Sequence, residues 1–326
     1  MTLPAQRSFR FYHKVMQNAL SFVCITFVVL FAITTVADVR LGADTFSPHG
    51  LLSGSRSTKK LCSIAGSSVW VTIDSKGECI RYFIAGIKDE SRNTIVYFHG
   101  DQVAHFGPGR DGAMVLRSYY GANARALNEF VKLQAEHLNM AFIWVSRPGV
   151  YGSSGSHHDR RKPRESLLLN AAINAIKEHH NLTKLTLVGF SGGGHVVAAL
   201  LTLRADIECA VIVSGVLDVK DRNRALGWSS DITGFTDFYD PMSFIPNIIM
   251  NDNRRIFILG SEKDQLVPFS SQMNYANAVG KQGHHVQLIN VKLEGTQHHH
   301  IDNKIYEVAG RCASGASDHA ILRSLD

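Results

Sequence analysis

Leu185-Thr186-Leu187-Val188-Gly189-Phe190-Ser191-Gly192-Gly193 is the stretch whose reading decides the fold. Residues 185–188 form a short apolar run, the pattern of a buried strand. Residues 189–193 fit G-x-S-x-G, and residues 193–204 continue as an apolar helix. A chain that passes from strand to helix within a few residues must turn sharply. Only small residues let the two elements approach so closely, and Gly189 and Gly193 meet that need. Such a turn lifts the Ser191 hydroxyl above the edge of the sheet, where it can serve as a nucleophile.

Outward from this turn the chain alternates strand and helix. Residues 68–73 and 79–85 read as an antiparallel hairpin around Asp74-Ser75-Lys76-Gly77, centred on Ser75-Lys76. Residues 94–98, 140–145, 210–214, 255–259 and 286–291 read as further strands. Residues 122–137, 165–180 and 271–281 read as helices, and the chain after about residue 302 closes with another. Apolar strands joined by helices make an α/β domain: a mostly parallel central sheet with helices on both faces and the hairpin as an antiparallel start. In such sheets sites form beyond the carboxyl ends of the strands. The domain is expected over residues 68–326, after a Gly/Ser-rich linker over 38–67. Residues 215–254 hold Trp228, Phe235, Phe238 and Tyr239, and are read either as a small cap insertion or as core packing.

On these residues the chain resembles the α/β-hydrolase superfamily, in particular its exported serine hydrolases related to prolyl oligopeptidase and to small esterases. The resemblance covers roughly residues 68 to 305. His99-Gly100-Asp101, after an apolar strand, is similar to the family's oxyanion-loop motif. Residues 147–155, Arg-Pro-Gly-Val-Tyr-Gly-Ser-Ser-Gly, resemble its glycine-rich turn. Residues 260–268 resemble its acid-bearing loop, and Gly295-Thr296-Gln297-His298 its G-x-x-H. The resemblance implies an α/β-hydrolase fold and a triad in the chain order Ser191, Asp264, His298. It also implies an oxyanion hole built from the backbone N–H groups of Asp101 and Gly192, with Gln102 as a substitute for Asp101.

The chemistry explains these residue types. A serine hydroxyl is a weak nucleophile near neutral pH, so an imidazole must take its proton and a carboxylate must hold that imidazole in one tautomer. Asp264 follows an apolar strand and precedes Val267-Pro268, which favours it over Glu262. His298, His299 and His300 are consecutive, and the motif spacing selects His298. The other histidines, including the pairs His157-His158, His179-His180 and His284-His285, are read as surface composition. No metal and no cofactor are expected.

The bulk composition, 45% hydrophobic and 19% charged, is that of a globular protein. The net charge of +6 owes half to Arg7, Arg10 and Lys14 in a stretch, 1–37, without Asp or Glu. The remaining excess is scattered, which argues against a nucleic-acid partner. Residues 19–37 carry no charge and are long enough to cross a membrane, with the basic stretch 1–18 held on the cytoplasmic side. They are either an uncleaved anchor or a signal segment cut after Ala37. Either way the domain is expected outside the cytoplasm, where Cys62 and Cys79 pair across the hairpin and Cys209 and Cys312 are less firmly assigned partners. Only about 55 residues separate the apolar segment from the strand ending at Phe98, too few for a β-propeller gate. The expected reaction is hydrolysis of small carboxylic esters or thioesters through an acyl-enzyme. The alternatives are a small serine peptidase or acyltransferase, and a catalytically inactive, membrane-tethered binding module.

Overall fold

A computed structural model describes residues 45–88, 93–104, 112–300 and 302–325. The apolar segment 19–37 and its basic flank lie outside the described residues. Among the described residues no helix is long and apolar enough to cross a membrane.

Two short helices come first, α1 (Pro48–Ser53) and α2 (Lys59–Ile64). The hairpin follows, β1 (Ser68–Ile73) and β2 (Lys76–Ala85). Its loop is Asp74-Ser75, with φ of 49° and 63°. Two consecutive residues of positive φ give the tight turn whose twist suits a hairpin, so the turn sits one residue before the expected centre. Next come β3 (Asn93–Phe98), a small ribbon of β4 (Val103–Ala104) and β5 (Met114–Val115), α3 (Ala124–Leu138), β6 (Ala141–Val145) and α4 (Pro163–His180). The carboxyl-terminal half runs β7 (Lys184–Phe190), α5 (Gly192–Leu200), β8 (Ile207–Val213), α6 (Val219–Ala225), β9 (Arg255–Gly260), α7 (Phe269–Lys281), β10 (His285–Asn290), α8 (Lys304–Ala313) and α9 (Asp318–Leu322).

Eight strands form one sheet in the order β1-β2-β6-β3-β7-β8-β9-β10. The pairs β1–β2 and β2–β6 are antiparallel, and the remaining five are parallel. Alternation along the strands sends side chains to two cores. Val96 and Phe98 join Leu187, Ile212 and Ile258 under α4, α5 and α7. Ile95 and Tyr97 join Val188, Val211 and Phe257 under α3 and α8. Because both faces are covered, the central strands are apolar throughout, which is why they read as continuous runs. This is the α/β-hydrolase architecture, with the antiparallel hairpin at the start of the sheet.

The expected linker is corrected where it is described. Phe46 and Leu51 are buried, and the Phe46 ring meets Tyr151 edge-on at 5.5 Å. Two polar residues of this stretch are helix caps: the Ser47 hydroxyl accepts from the Gly50 amide, and the Thr58 hydroxyl from the Leu61 amide. Ser55 pairs with Gly155 as an isolated backbone bridge. Gly and Ser here serve turns and caps on a packed strap, which composition alone does not distinguish from a flexible tether.

Both disulfides form. Cys62–Cys79 joins α2 to β2 rather than the two strands of the hairpin, and Cys209–Cys312 joins the first half of β8 to α8 across a sequence separation of 103. A cross-link over so long a loop removes much of the freedom of the unfolded chain. Replacing Cys209 and Cys312 together with Ala is expected to lower stability by about 3–5 kcal/mol. The urea midpoint reports this, and a midpoint equal to wild type would refute it.

Candidate active site

β7 ends at Phe190 and α5 starts at Gly192, so a single residue, Ser191, makes the turn. Its backbone sits at φ 53°, ψ −115°, a region that non-glycine residues rarely occupy. The surroundings hold it there. Its amide donates to the Val213 carbonyl at 2.8 Å, and its carbonyl accepts from the amides of Gly194 and His195. A Cβ on Gly193 would overlap the Phe98 carbonyl, and one on Gly189 would overlap the Gly193 carbonyl. The two glycines singled out in the sequence are therefore demanded by close backbone approach.

Asp264 lies on the loop after β9 and is buried. Its Oδ1 accepts from the amides of Leu266 and Val267 at 2.9 and 3.0 Å, so the turn that carries it also fixes its orientation. The facing partner is His299. Its Nδ1 lies 2.8 Å from Oδ2 and 3.0 Å from Oδ1 of Asp264, in a buried contact. Nδ1 donates to the carboxylate, which leaves Nε2 as a free acceptor.

The expectation placed His298 at this position, and the structure places it elsewhere. His298 has φ 49° in the left-handed region, while Gly295 earlier in the loop has φ 79°. The left-handed residue reverses the chain, so the next side chain, not its own, meets Asp264. His298 instead lines a cavity of about 330 Å³ with Ser261, Lys263, Asn290 and Lys292. The loop is clipped on both sides: the Gln265 amide donates to the Gln297 carbonyl at 3.0 Å, and the Ser214 hydroxyl to the His299 carbonyl at 3.1 Å. Phe190, the residue before Ser191, lays its ring 5.1 Å from that of His299.

The loop after β3 meets Ser191 from the other side. A Cβ on Gly100 would come within 3.3 Å of the Ser191 Cβ. The Gly100 carbonyl accepts from His99 Nδ1 at 2.7 Å and from Gln102 Nε2 at 3.1 Å. His99 Nε2 in turn accepts from the Arg147 amide at 3.2 Å, so the His99 proton is on Nδ1. A trans peptide points its N–H opposite to its C=O, so the Asp101 amide faces away from those donors. The Gln102 amide is occupied, donating to His157 Nε2 at 3.1 Å, which removes the substitute considered for Asp101. The Gly192 amide belongs to the first turn of α5, where amides have no intrahelical acceptor.

The Asp101 carboxylate is held by three guanidinium groups. It lies 2.9 Å from Arg147, 3.1 Å from Arg160 and 2.6 Å from Arg161, all of them buried. Burial alone would raise its carboxyl pKa; Arg161, Arg160 and Arg147 override that and keep it well below the usual carboxylate range. Glu165 and Asp231 complete the network by pairing with Arg147 and Arg161. Three histidines surround it uncharged. Burial, reinforced by Arg147, takes His99 down to about 3. Burial, reinforced by Arg161, takes His195 down to about 4. Burial with Arg147 and Arg160 holds His157 well below its ordinary value.

The sequence reading took His157 for surface composition and did not single out Arg160 or Arg161, yet all three are among the most buried side chains described. The aromatics of 215–254 divide: Tyr239 is buried and stacks on Phe244, while Trp228 lies under the Arg222 guanidinium and Phe235 under the Lys162 amine.

The prolyl oligopeptidase family matches residues 168–311. Among solved structures, an acylaminoacyl peptidase from Pyrococcus horikoshii aligns at 14% identity with a TM-score of 0.50, covering 79% of this chain. The chain spans 39% of that protein's length. A Pyrococcus furiosus esterase aligns at 14% identity with a TM-score of 0.51, covering 81% of this chain and 97% of its own. A comparison with curated proteins gives no match. At these identities the structural likenesses carry the fold alone. Together with the match over residues 168–311, they show an α/β-hydrolase fold whose carboxyl-terminal half is similar to the prolyl oligopeptidase family.

Proposed function

We propose that the protein hydrolyses small carboxylic esters or thioesters through an acyl-enzyme, with Ser191 as nucleophile, His299 as general base and Asp264 as the carboxylate that orients it. The observation that carries this reading is the buried Asp264–His299 pair, whose ring rests on Phe190 beside the strained Ser191 turn. Nε2 of His299 takes the hydroxyl proton as Ser191 Oγ bonds to the acyl carbon. The tetrahedral oxyanion accepts hydrogen bonds from the amides of Asp101 and Gly192, donors that need no reorganisation as charge develops. Collapse breaks the bond to the alcohol or thiol, which leaves with the proton held by His299. A water molecule then repeats the sequence and releases the acid. The prolyl oligopeptidase family match favours a second reading, in which the acyl group comes from a small peptide amide.

The domain is proposed to work outside the cytoplasm, tethered by or released from residues 19–37. Two disulfides and the basic flank of that segment support the placement. A membrane-impermeant fluorophosphonate probe added to intact cells tests site and placement together. The expected result is labelling at the peptide containing Ser191, absent in Ser191→Ala. Labelling only after lysis would refute the placement, and no labelling of folded protein would refute the nucleophile. A panel of p-nitrophenyl esters against aminoacyl amides then decides between the two acyl readings.

A further inference from the structure

Asp101 follows the His-Gly pair in the oxyanion loop, so an anionic side chain stands beside the place where negative charge develops. The structure gives that carboxylate a specific place. A Cβ added to Gly192 would overlap Asp101 Oδ1 and come within 2.8 Å of Arg147 Nη1. The carboxylate therefore occupies the space a side chain at position 192 would fill, against the first turn of α5.

We infer that the Asp101 carboxylate is a positioning group for the oxyanion pocket: gripped by Arg147, Arg160 and Arg161 and lodged against Gly192, it locks the loop after β3 onto the start of α5. The inference rests on the proposed roles of the Asp101 and Gly192 amides. Those two amides belong to separate elements, so the pocket is only as well formed as the joint between them. Displacements near 1 Å at such donors cost about 10²-fold in rate.

Each arginine of the grip is rooted in the surrounding fold. Arg147 donates through Nη1 to the His99 carbonyl at 3.3 Å and through Nε to Glu165 at 2.8 Å. Arg160 donates to the His157 carbonyl at 2.9 Å, and the His157 ring accepts the Gln102 amide. Arg161 donates to Asp231 at 3.2 Å. The network thus reaches the same loop from both its backbone and its side chains. A buried ion network adds little stability that well-packed apolar side chains would not supply, while it fixes directions that apolar packing leaves loose. Its location, around one carboxylate beside the nucleophile, puts that direction-fixing where catalysis uses it.

Two substitutions test the lock from opposite sides. Asp101→Asn keeps the backbone and the shape but weakens the grip. Gly192→Ala keeps every charge and pushes the carboxylate out of its seat. Both are expected to lower kcat on an activated ester by about 10- to 100-fold with KM little changed. Both should lose affinity for a trifluoromethyl ketone, whose tetrahedral adduct needs the same amides, by the same factor. A merely structural role would lower the unfolding midpoint while leaving kcat and inhibitor affinity of the folded protein at wild type, and that outcome overturns the inference. Should Asp101→Asn fail to fold with its arginines unpaired, Gly192→Ala decides alone. Fluorophosphonate labelling of the wild type at Ser191 separates the two levels. If it fails, the proposed function falls; if it succeeds while both variants match wild type, only the lock falls.

Discussion

His299→Gln lowers kcat on an activated ester by at least about 10⁴-fold, while His298→Gln and His300→Gln keep most of the activity. Glutamine matches much of the shape of histidine but can neither accept the serine proton nor return it, so the loss reports proton transfer rather than packing. Only His299 meets Asp264, at 2.8 Å, and that contact sets which ring nitrogen is free. The His300 ring packs on Phe190 at 5.4 Å, and burial followed by the neighbouring His299 lowers its pKa. His298 faces the cavity beside the acid loop. Three single variants assayed near neutral pH, each with its unfolding midpoint, settle the question. A folded His299→Gln enzyme with near wild-type kcat would sink the assignment.

The second large effect is loss of stability in mild acid. His99, His157 and His195 are buried and uncharged, with folded-state pKa values depressed below the ordinary value near 6.5. The sign follows from proton counting. Between the depressed values and about 6.5 the unfolded chain binds protons that the folded protein refuses, so stability rises with pH there and is lost as pH falls. Each such histidine contributes up to about 1.4 kcal/mol per pH unit, so three together approach about 4 kcal/mol per unit. Full stability is expected above about pH 6.5, with a steep decline toward the values of about 4 for His195 and about 3 for His99. The carboxyl of Asp101, held low by its arginines, extends the same trend below about pH 4, where the unfolded chain takes up its proton first. Urea midpoints at pH 7, 6 and 5 measure the effect. Uptake of fewer than one proton on unfolding between pH 6 and 5 would show that the three rings are not buried neutral.

The parts of the molecule legible in the sequence are those whose cause is local. Residues 185–193 announce strand, turn and helix together, because burial of the strand and closeness of the turn each leave a residue-level mark. Asp264 is legible for the same reason, since its own loop amides orient it. His299 is not, because the reversal at His298 is a backbone choice of the folded loop and spacing along the chain counts residues, not directions. His157 and Arg160-Arg161 fail differently. A polar pair reads as solvated unless its partners are known, and here the partners are distant in sequence, at Gln102, Asp101 and Asp231. The strap over residues 45–64 was obscured by serines and threonines that cap helices rather than loosen the chain.

Strand β3 lies between β6 and β7, both of which come later in the chain, and the pair Asp264–His299 joins the loop after β9 to the loop after β10. In biosynthetic terms the site is assembled late. The loop after β3 waits for residue 190 before it has neighbours on both sides, and no imidazole reaches Asp264 until residue 299 has been made. The Cys209–Cys312 bridge, which spans both Asp264 and His299 in the chain, closes later still. A growing chain therefore carries the Ser191 hydroxyl for more than a hundred residues of synthesis before the imidazole proposed to activate it exists.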